Sequence, residues 1–345
     1  MASYLVTGGS GFLGTLLVGR LLADGHTVTS LDLLPTSLAN PRLDAVVGDI
    51  RDRACLDAIF ARGVPDAVFH CAALLAHGSI PDSELDSHNV LGTQVLAEAC
   101  ADAGVGKIVY TSSNCLWGHG FDAPVSEDIA PEPCEHYGMT KWEGEKILAC
   151  LGNRIESVSI RCPTIIDEGR LGLLAILFEF IADGNRIPLV GDGSNRYQFI
   201  YAADLIEAML RAAHCEGSHV FGIGSDDVPS MAGAFQHVID GSASRSRLLR
   251  LPKWPMITAM KLAHRLRLSP LGPYHYRMIA SSFVFDTSAI KRTLGWQPTL
   301  TNGEMLLKAY RYYHLNRQEI GARENVSAHS QAAKMGVIRV LKWLA

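Results

Sequence analysis

Tyr4-Leu5-Val6-Thr7-Gly8-Gly9-Ser10-Gly11-Phe12-Leu13-Gly14 decides the fold of this chain. An apolar run enters a glycine-rich turn and leaves it as a segment with Leu13, Leu16, Leu17, Leu21 and Leu22 at helical spacing. Gly8 and Gly11 remove side chains where a backbone must turn tightly and approach a pyrophosphate, and Gly14 lets the following helix pack close to the sheet. The helix from Phe12 aims its N-terminal amides and positive dipole end at the phosphates. Any tight strand-to-helix turn can use such glycines, but here a strand precedes, an amphipathic helix follows, and a second strand, Thr27 to Leu31, ends on Asp32. That context predicts a dinucleotide phosphate site.

Asp32 bears on which dinucleotide. A carboxylate at the end of the second strand accepts hydrogen bonds from the adenosine ribose hydroxyls and repels the extra phosphate of NADP. Leu33, Leu34 and Pro35 supply no cation to offset that repulsion, so NAD is the expected cofactor. A turn-forming Asp is the competing reading.

Outward from this stretch, strand and helix keep alternating: strand Ala45 to Gly48, helix Ala54 to Ala61, strand Ala67 to Cys71, helix Asp86 to Ala103, strand Lys107 to Ser112. The rhythm implies right-handed crossovers and a parallel sheet covered on both faces. Asp49 closes the third strand, where a carboxylate can meet the adenine amino group, and the small residues of His70-Cys71-Ala72-Ala73 leave room at the end of the fourth. Both also read as ordinary strand-end chemistry.

The chain has 345 residues, enough for one large α/β unit or two joined domains, and a net charge of -4 gives no electrostatic footprint for nucleic acid. Its 8 cysteines form no C-x-x-C pair and mostly sit in apolar segments, so neither a metal site nor a disulfide framework is indicated. Met1 is followed closely by the first strand, leaving no room for a leader, and a cytoplasmic location is expected. The apolar run from Leu171 to Ala182 contains Glu179 and is too short to span a bilayer.

The fifth strand ends in Tyr110-Thr111-Ser112-Ser113-Asn114, and a Pro-rich loop later comes Tyr137-Gly138-Met139-Thr140-Lys141 at the start of a helix. Spacing of four puts Tyr137 and Lys141 on one face. A phenol near pKa 10 needs help to work as an acid/base near neutral pH, and an adjacent ammonium favours the phenolate. Lys141 is placed to supply it, Tyr137 to move the proton, and Ser113 to hydrogen-bond the substrate oxygen. Tyr and Lys at this spacing occur by chance in many helices; joined to the glycine turn and the serine strand end, in this order, they carry weight.

With these residues in place the sequence resembles an extended short-chain dehydrogenase/reductase, the family that includes nucleotide-sugar epimerases and dehydratases and the 3β-hydroxysteroid dehydrogenases. The resemblance runs through nearly the whole chain: Thr7 to Gly14, Asp32, Gly48-Asp49, Asn89-Val90-Leu91-Gly92-Thr93, Ser113, Tyr137, Lys141, Arg161-Cys162-Pro163, Gly191-Asp192-Gly193 through Asp204, and Leu294-Gly295-Trp296-Gln297-Pro298. It implies an α/β fold, a Rossmann-type doubly wound parallel sheet with a smaller interleaved C-terminal α+β substrate domain. The expected division is residues 1–165 for NAD, with a return segment at about 186–222, then a cap over 223–315 and a tail over 316–345. By the same resemblance Phe12, Leu13, Ile50, Ala72, Asn89 and Cys162 join the cofactor site. Ser113, Asn114, Thr164 and Arg196 face the substrate, and a homodimer is expected.

Departures narrow the chemistry. Asn114 and Cys115 stand where dehydratases of this type carry an acidic pair and sugar-acid decarboxylases a glutamate, so loss of water or carboxylate lacks a proton relay. Thr164 stands where many nucleotide-sugar enzymes have an Asn on the diphosphate. Arg196 remains as a phosphate contact or a solvated loop arginine. Three readings stay open: epimerisation of a nucleotide sugar by transient oxidation, net oxidation of a lipophilic, sterol-like or lipid-linked alcohol, and non-catalytic NAD sensing. The intact Ser113, Tyr137 and Lys141 set argues against the last. Two amphipathic basic stretches, Leu251 to Leu268 and Lys334 to Ala345, fit packing against protein, and the second also fits peripheral contact with an anionic membrane.

Overall fold

The computed structural model describes residues 1–75, 80–170, 174–266 and 272–322. Six strands run in chain order through the first half: β1 (Ser3–Thr7), β2 (Thr27–Asp32), β3 (Leu43–Val47), β4 (Ala67–His70), β5 (Lys107–Ser113) and β6 (Glu156–Cys162). Helices α1 (Phe12–Ala23), α2 (Arg53–Phe60), α3 (Asp82–Leu85), α4 (Gly92–Ala103) and α5 (His136–Cys150) connect them, with a π-helical turn, Asp86–Leu91, leading into α4. Short strands β7 (Thr164–Ile166), β8 (Arg186–Val190) and β9 (Phe199–Tyr201) follow, then β10 (His219–Gly222) and β11 (Arg247–Leu251). The later helices are α6 (Leu174–Ala182), α7 (Ala202–Ala212), α8 (Met231–Gly241), α9 (Lys253–Arg265), α10 (Pro273–Met278), α11 (Ser288–Leu294), α12 (Asn302–Leu315) and α13 (Arg317–Ala322).

Seven strands form one parallel sheet in the order β10-β6-β5-β4-β1-β2-β3. The order reverses between β1 and β4, which opens a crevice beyond the carboxyl ends of those strands. Leu17, Val18 and Leu21 of α1, Leu205 and Met209 of α7, and Ile290 of α11 cover one face. Leu56 of α2, Leu96 and Cys100 of α4, and Leu148 of α5 cover the other. Strands buried on both faces explain the near-continuous apolar runs of the sequence, since a crossover helix lies over each side. On α1 the stripe turns slightly from the one expected: Leu16 faces outward and Val18 inward.

The cap has a core of its own, built around Trp117, Phe178, Phe180, Phe283 and Phe285 with two-stranded parallel pairs β8–β11 and β7–β9. The expected return to the large sheet from about residue 186 therefore starts later. β8 pairs register-for-register with β11 in the cap, from Ile187 opposite Leu248 to Val190 opposite Leu251, and the return is made by α7 and β10. Residues 288–296 also return, because Trp296 is fully buried in the core that α1 and α7 share. Its Nε1 donates to the carbonyl of Asp204 at 2.8 Å, and the Asp204 carboxylate accepts from the Thr299 amide and hydroxyl at 2.8 and 2.7 Å. That explains Leu294 to Pro298 and Asp204 as one structural clasp. Burying a side chain of this size stabilises the fold by about 2–3 kcal/mol.

Within the stretch from Leu251 to Leu268, the described helix α9 departs from core packing, for it buries none of its residues. The stretch from Lys334 to Ala345, on which the membrane reading rested, lies outside the described residues. Among the described residues no helix is long and apolar enough to cross a membrane.

Candidate active site

The glycine turn takes its shape from contacts that exclude side chains. Gly8 has φ +71°, and its amide donates to the Leu31 carbonyl at 2.8 Å, seating the turn against β2. A Cβ on Gly14 would lie 2.0 Å from the Gly8 carbonyl oxygen, so only glycine lets α1 start this close to β1. Gly11 caps α1 without a side-chain hydrogen bond, which leaves the first-turn amides open to an anion. The Asp32 carboxylate accepts from the Ser10 amide and the Leu34 amide, each at 3.0 Å, and so holds the turn and the end of β2 together at the cleft.

These residues form one wall of a cleft of about 560 Å³ that continues past Asp49, Ile50 and Ala72 to Ser113, Asn114, Tyr137, Lys141, Cys162 and Thr164. Phe12, Leu13, Gly11 and Gly8 also line it. Asn89 does not line the cleft but anchors its wall. Its amide takes both backbone groups of Leu74, at 2.7 and 2.9 Å, and donates to the Thr140 hydroxyl at 3.0 Å, tying the loop after β4 to α5.

Asp49 sits at the predicted strand end but is partly committed. Its carboxylate takes the Arg51 guanidinium bidentately, at 2.5 to 3.0 Å, and Arg51 reaches on to Ser87 at 2.7 Å. The guanidinium holds the carboxyl below its usual value. A contact from Asp49 to adenine would use a remaining lone pair.

At the far end, Gly138 brings the start of α5 against the turn after β5, where a Cβ would lie 2.1 Å from the Cys115 carbonyl oxygen. Tyr137 and Lys141 are thereby sunk into the cleft floor. The Ser113 hydroxyl oxygen accepts from the Cys115 amide at 3.1 Å, which leaves its own hydrogen to donate outward. The Lys141 ammonium stands 4.1 Å from the centroid of the Tyr110 ring. A buried ion pair behind the floor, Arg161 with Glu145 at 2.8 Å, ties α5 to β6, while Ser112 donates to Glu145 at 2.5 Å. His70 spans Thr7 and Thr93 at 2.8 and 2.9 Å, and burial pushes it down to about 3.

The electrostatics differ from the expected arrangement of a phenol tuned by Lys141 alone. Burial raises Tyr137 well above its usual value, and the nearby cation acting against that rise is Arg170. Lys141 is itself pushed down to about 8, chiefly by burial. A low-polarity floor disfavours every charged form, so the protein alone keeps the phenol protonated.

Two residues expected at the substrate stand elsewhere in the polar network. Asn114 reaches the cleft, but its amide nitrogen donates to Tyr197 and Tyr274 at 2.7 and 2.9 Å, fastening the cap to the end of β5. Arg196 is exposed and away from the cleft lining, with its Nε donating to the Val228 carbonyl at 2.8 Å. It is held by the loop between β10 and α8 and, through its amide, by the Ser282 hydroxyl at 3.1 Å, a location that a motif reading cannot see. Conversely, Arg170 and Tyr274 line the cleft and carried no sequence signal. Tyr274 comes from α10, 160 residues beyond its partner Asn114, and Arg170 closes the short Asp167-Glu168-Gly169 loop after β7, where a surface turn is the plainer reading.

The family model of the NAD dependent epimerase/dehydratase family matches residues 4–224. A UDP-glucose 4-epimerase of Mycolicibacterium smegmatis is 31% identical over 91% of this chain and 99% of its own length. A 3 beta-hydroxysteroid dehydrogenase/Delta 5→4-isomerase of Mycobacterium tuberculosis is 31% identical over 90% of each chain. Among solved structures, a UDP-glucose 4-epimerase of Thermotoga maritima superposes with a TM-score of 0.75 at 22% identity, covering 91% of this chain and 99% of that one, a likeness of fold. With the seven-stranded switch-point sheet, the glycine-rich turn and near full-length relatives, this chain belongs to the NAD-dependent epimerase/dehydratase family of extended short-chain dehydrogenase/reductases and is an NAD-dependent enzyme.

Proposed function

We propose that the protein is a nucleotide-sugar epimerase that oxidises and re-reduces one secondary carbinol with Tyr137 as its acid/base. The observation that carries this is the continuity of the cleft, which joins the Asp32-bound glycine turn to Ser113, Tyr137 and Lys141 in one space. Gly8, Gly11, Phe12, Leu13 and Gly14 would hold the cofactor's diphosphate on backbone amides, Asp32 the adenosine ribose, and Asp49 with Ile50 the adenine. NAD supplies a hydride acceptor and donor when bound there. Ser113 donates its hydrogen bond to the substrate oxygen, Tyr137 takes and returns the proton at that oxygen, and Lys141 holds the nicotinamide ribose and steadies the phenolate. The buried floor excludes water, which prevents a transient ketone from being lost to side reactions. Relatives named UDP-glucose 4-epimerase, aligned over nearly the full length of both chains, support a nucleotide sugar as substrate. Incubating the purified enzyme with NAD and panels of nucleotide sugars and 3β-hydroxysteroids tests the reading: an inverted sugar without accumulating NADH is expected. Accumulating NADH with a sterol, and no change in any sugar, overturns it.

One observation favours the second reading, net oxidation of a lipophilic or lipid-linked alcohol. Helix α9 leaves Trp254 81% and Leu262 57% exposed beside Lys253, Lys261 and Arg265, a face suited to an anionic bilayer. It packs on α10, whose Tyr274 reaches the cleft. Co-sedimentation with phosphatidylglycerol vesicles, lost in Trp254→Ser, would support that reading, and no vesicle binding by the native protein removes it.

A further inference from the structure

Arg170 is the charged group of the cleft that no role described so far absorbs. It lies at the cleft wall, after β7, with its guanidinium 5.3 Å from the centroid of the Phe12 ring. Phe12 is the first residue of α1, so the ring that the guanidinium faces hangs from the start of that helix, and both residues line the same cleft. Asp167 and Glu168 precede it by three and two residues, yet among the described residues no carboxylate pairs with it. Asp167 instead accepts from the Glu168 amide at 2.7 Å and faces Lys308 at 3.7 Å. The Tyr137 phenol and the Cys162 thiol share the cleft with it and feel its charge, both kept protonated by burial. The burial pushes the guanidinium itself down to about 10. A largely buried cation without a counter-ion costs stability, and its presence at an anion-binding turn points to a ligand that supplies the missing charge.

We propose that Arg170 is a phosphate clamp of the cleft, pairing with a non-bridging oxygen of a diphosphate held over the glycine turn. The inference rests on the reading of the cleft as a dinucleotide and nucleotide-sugar site and adds a specific residue to it. Two diphosphates share this chemistry, that of the cofactor and that of a nucleotide-sugar substrate. The contact with Phe12, a residue of the glycine turn itself, favours the cofactor. A planar guanidinium can present two parallel donors to a phosphate, which a lysine cannot match.

Calorimetric titration of the native protein, Arg170→Gln and Arg170→Lys with NAD, ADP-ribose, adenosine and UDP tests it, with thermal unfolding of each protein measured without ligand. Arg170→Gln is expected to weaken NAD and ADP-ribose by roughly 10- to 100-fold, with Arg170→Lys between, while adenosine changes less than about twofold. Weakening of UDP alone, at saturating NAD, assigns the same clamp to the substrate's diphosphate. Without ligand, Arg170→Gln should unfold at the same temperature or higher, because an unpaired buried cation has been removed. Unchanged affinity for all diphosphates, or equal weakening of adenosine with a lowered unfolding temperature, overturns the clamp. Since binding is measured without turnover, absence of NAD binding by the native protein would instead overturn the reading of the cleft.

Discussion

The two ends of the cleft are built on opposite principles. The phosphate end is almost all backbone: Gly8, Gly11 and Gly14 offer amides and empty space, and its one carboxylate, Asp32, is already held by the Ser10 and Leu34 amides. The end proposed as catalytic is all side chain, with the Tyr137 phenol beside the buried Lys141 ammonium and Ser113 hydroxyl, and with Cys115 and Cys162 in the same lining. Backbone amides present a fixed field that costs nothing to reorganise, which suits a group bound the same way throughout turnover. Buried ionisable groups have perturbed proton affinities, which suits a group that must give and take a proton within each cycle.

The largest expected effect breaks the catalytic end alone. Tyr137→Phe keeps the ring and removes only the acid/base oxygen, so kcat should fall by roughly 10²- to 10⁴-fold. NAD affinity by calorimetry should stay within about threefold. Comparable turnover in the variant would remove Tyr137 from the role.

Gly14→Ala strikes the phosphate end. Its methyl would meet the Gly8 carbonyl at 2.0 Å, so α1 must shift and carry the amides with it. Overpacking of this kind costs about 1–3 kcal/mol of stability, seen in urea unfolding, and NAD binding should weaken by about tenfold or more. Native affinity in this variant would show that the amides of α1 do not hold the cofactor.

Asp32→Ala sharpens the comparison by changing selectivity without touching the chemistry. The native protein should bind NAD far better than NADP, and the variant should narrow that gap by about tenfold, since the repulsion of the second phosphate is gone. Equal binding of both cofactors by the native protein would mean that Asp32 serves the turn only.

The smallest effect is on stability against pH and isolates the shared wall between the ends. His70 is held near 3 in the folded protein against an ordinary 6.5, so between those values the unfolded chain carries a proton that the folded one does not. Its contribution is complete above pH 6.5 and is lost as pH falls toward 3, by at most about 1.4 kcal/mol per unit. Urea unfolding at about pH 5 and about pH 7.5 should show His70→Asn less acid-sensitive than the native protein by about 2 kcal/mol. Identical pH dependence would show that His70 is not the group responsible.

What the sequence by itself determined was local. The glycine turn, each single element of the strand-helix rhythm and Tyr137 with Lys141 are short stretches of consecutive residues, where backbone sterics and helical periodicity act directly. Hence β1, α1, β2 and the start of α5 stand where the pattern placed them, and the family follows from their order. The tertiary structure alone decided what depends on distance through space. It moved β8 into the cap, gave the Asn114 amide to two tyrosines from 83 and 160 residues away, took Arg196 out of the cleft and brought Arg170 in. It also set the balance at Tyr137, where burial outweighs the Arg170 cation. Desolvation is a property of the assembled surroundings, summed over every element packed around a group, and no spacing of residues along one helix encodes it.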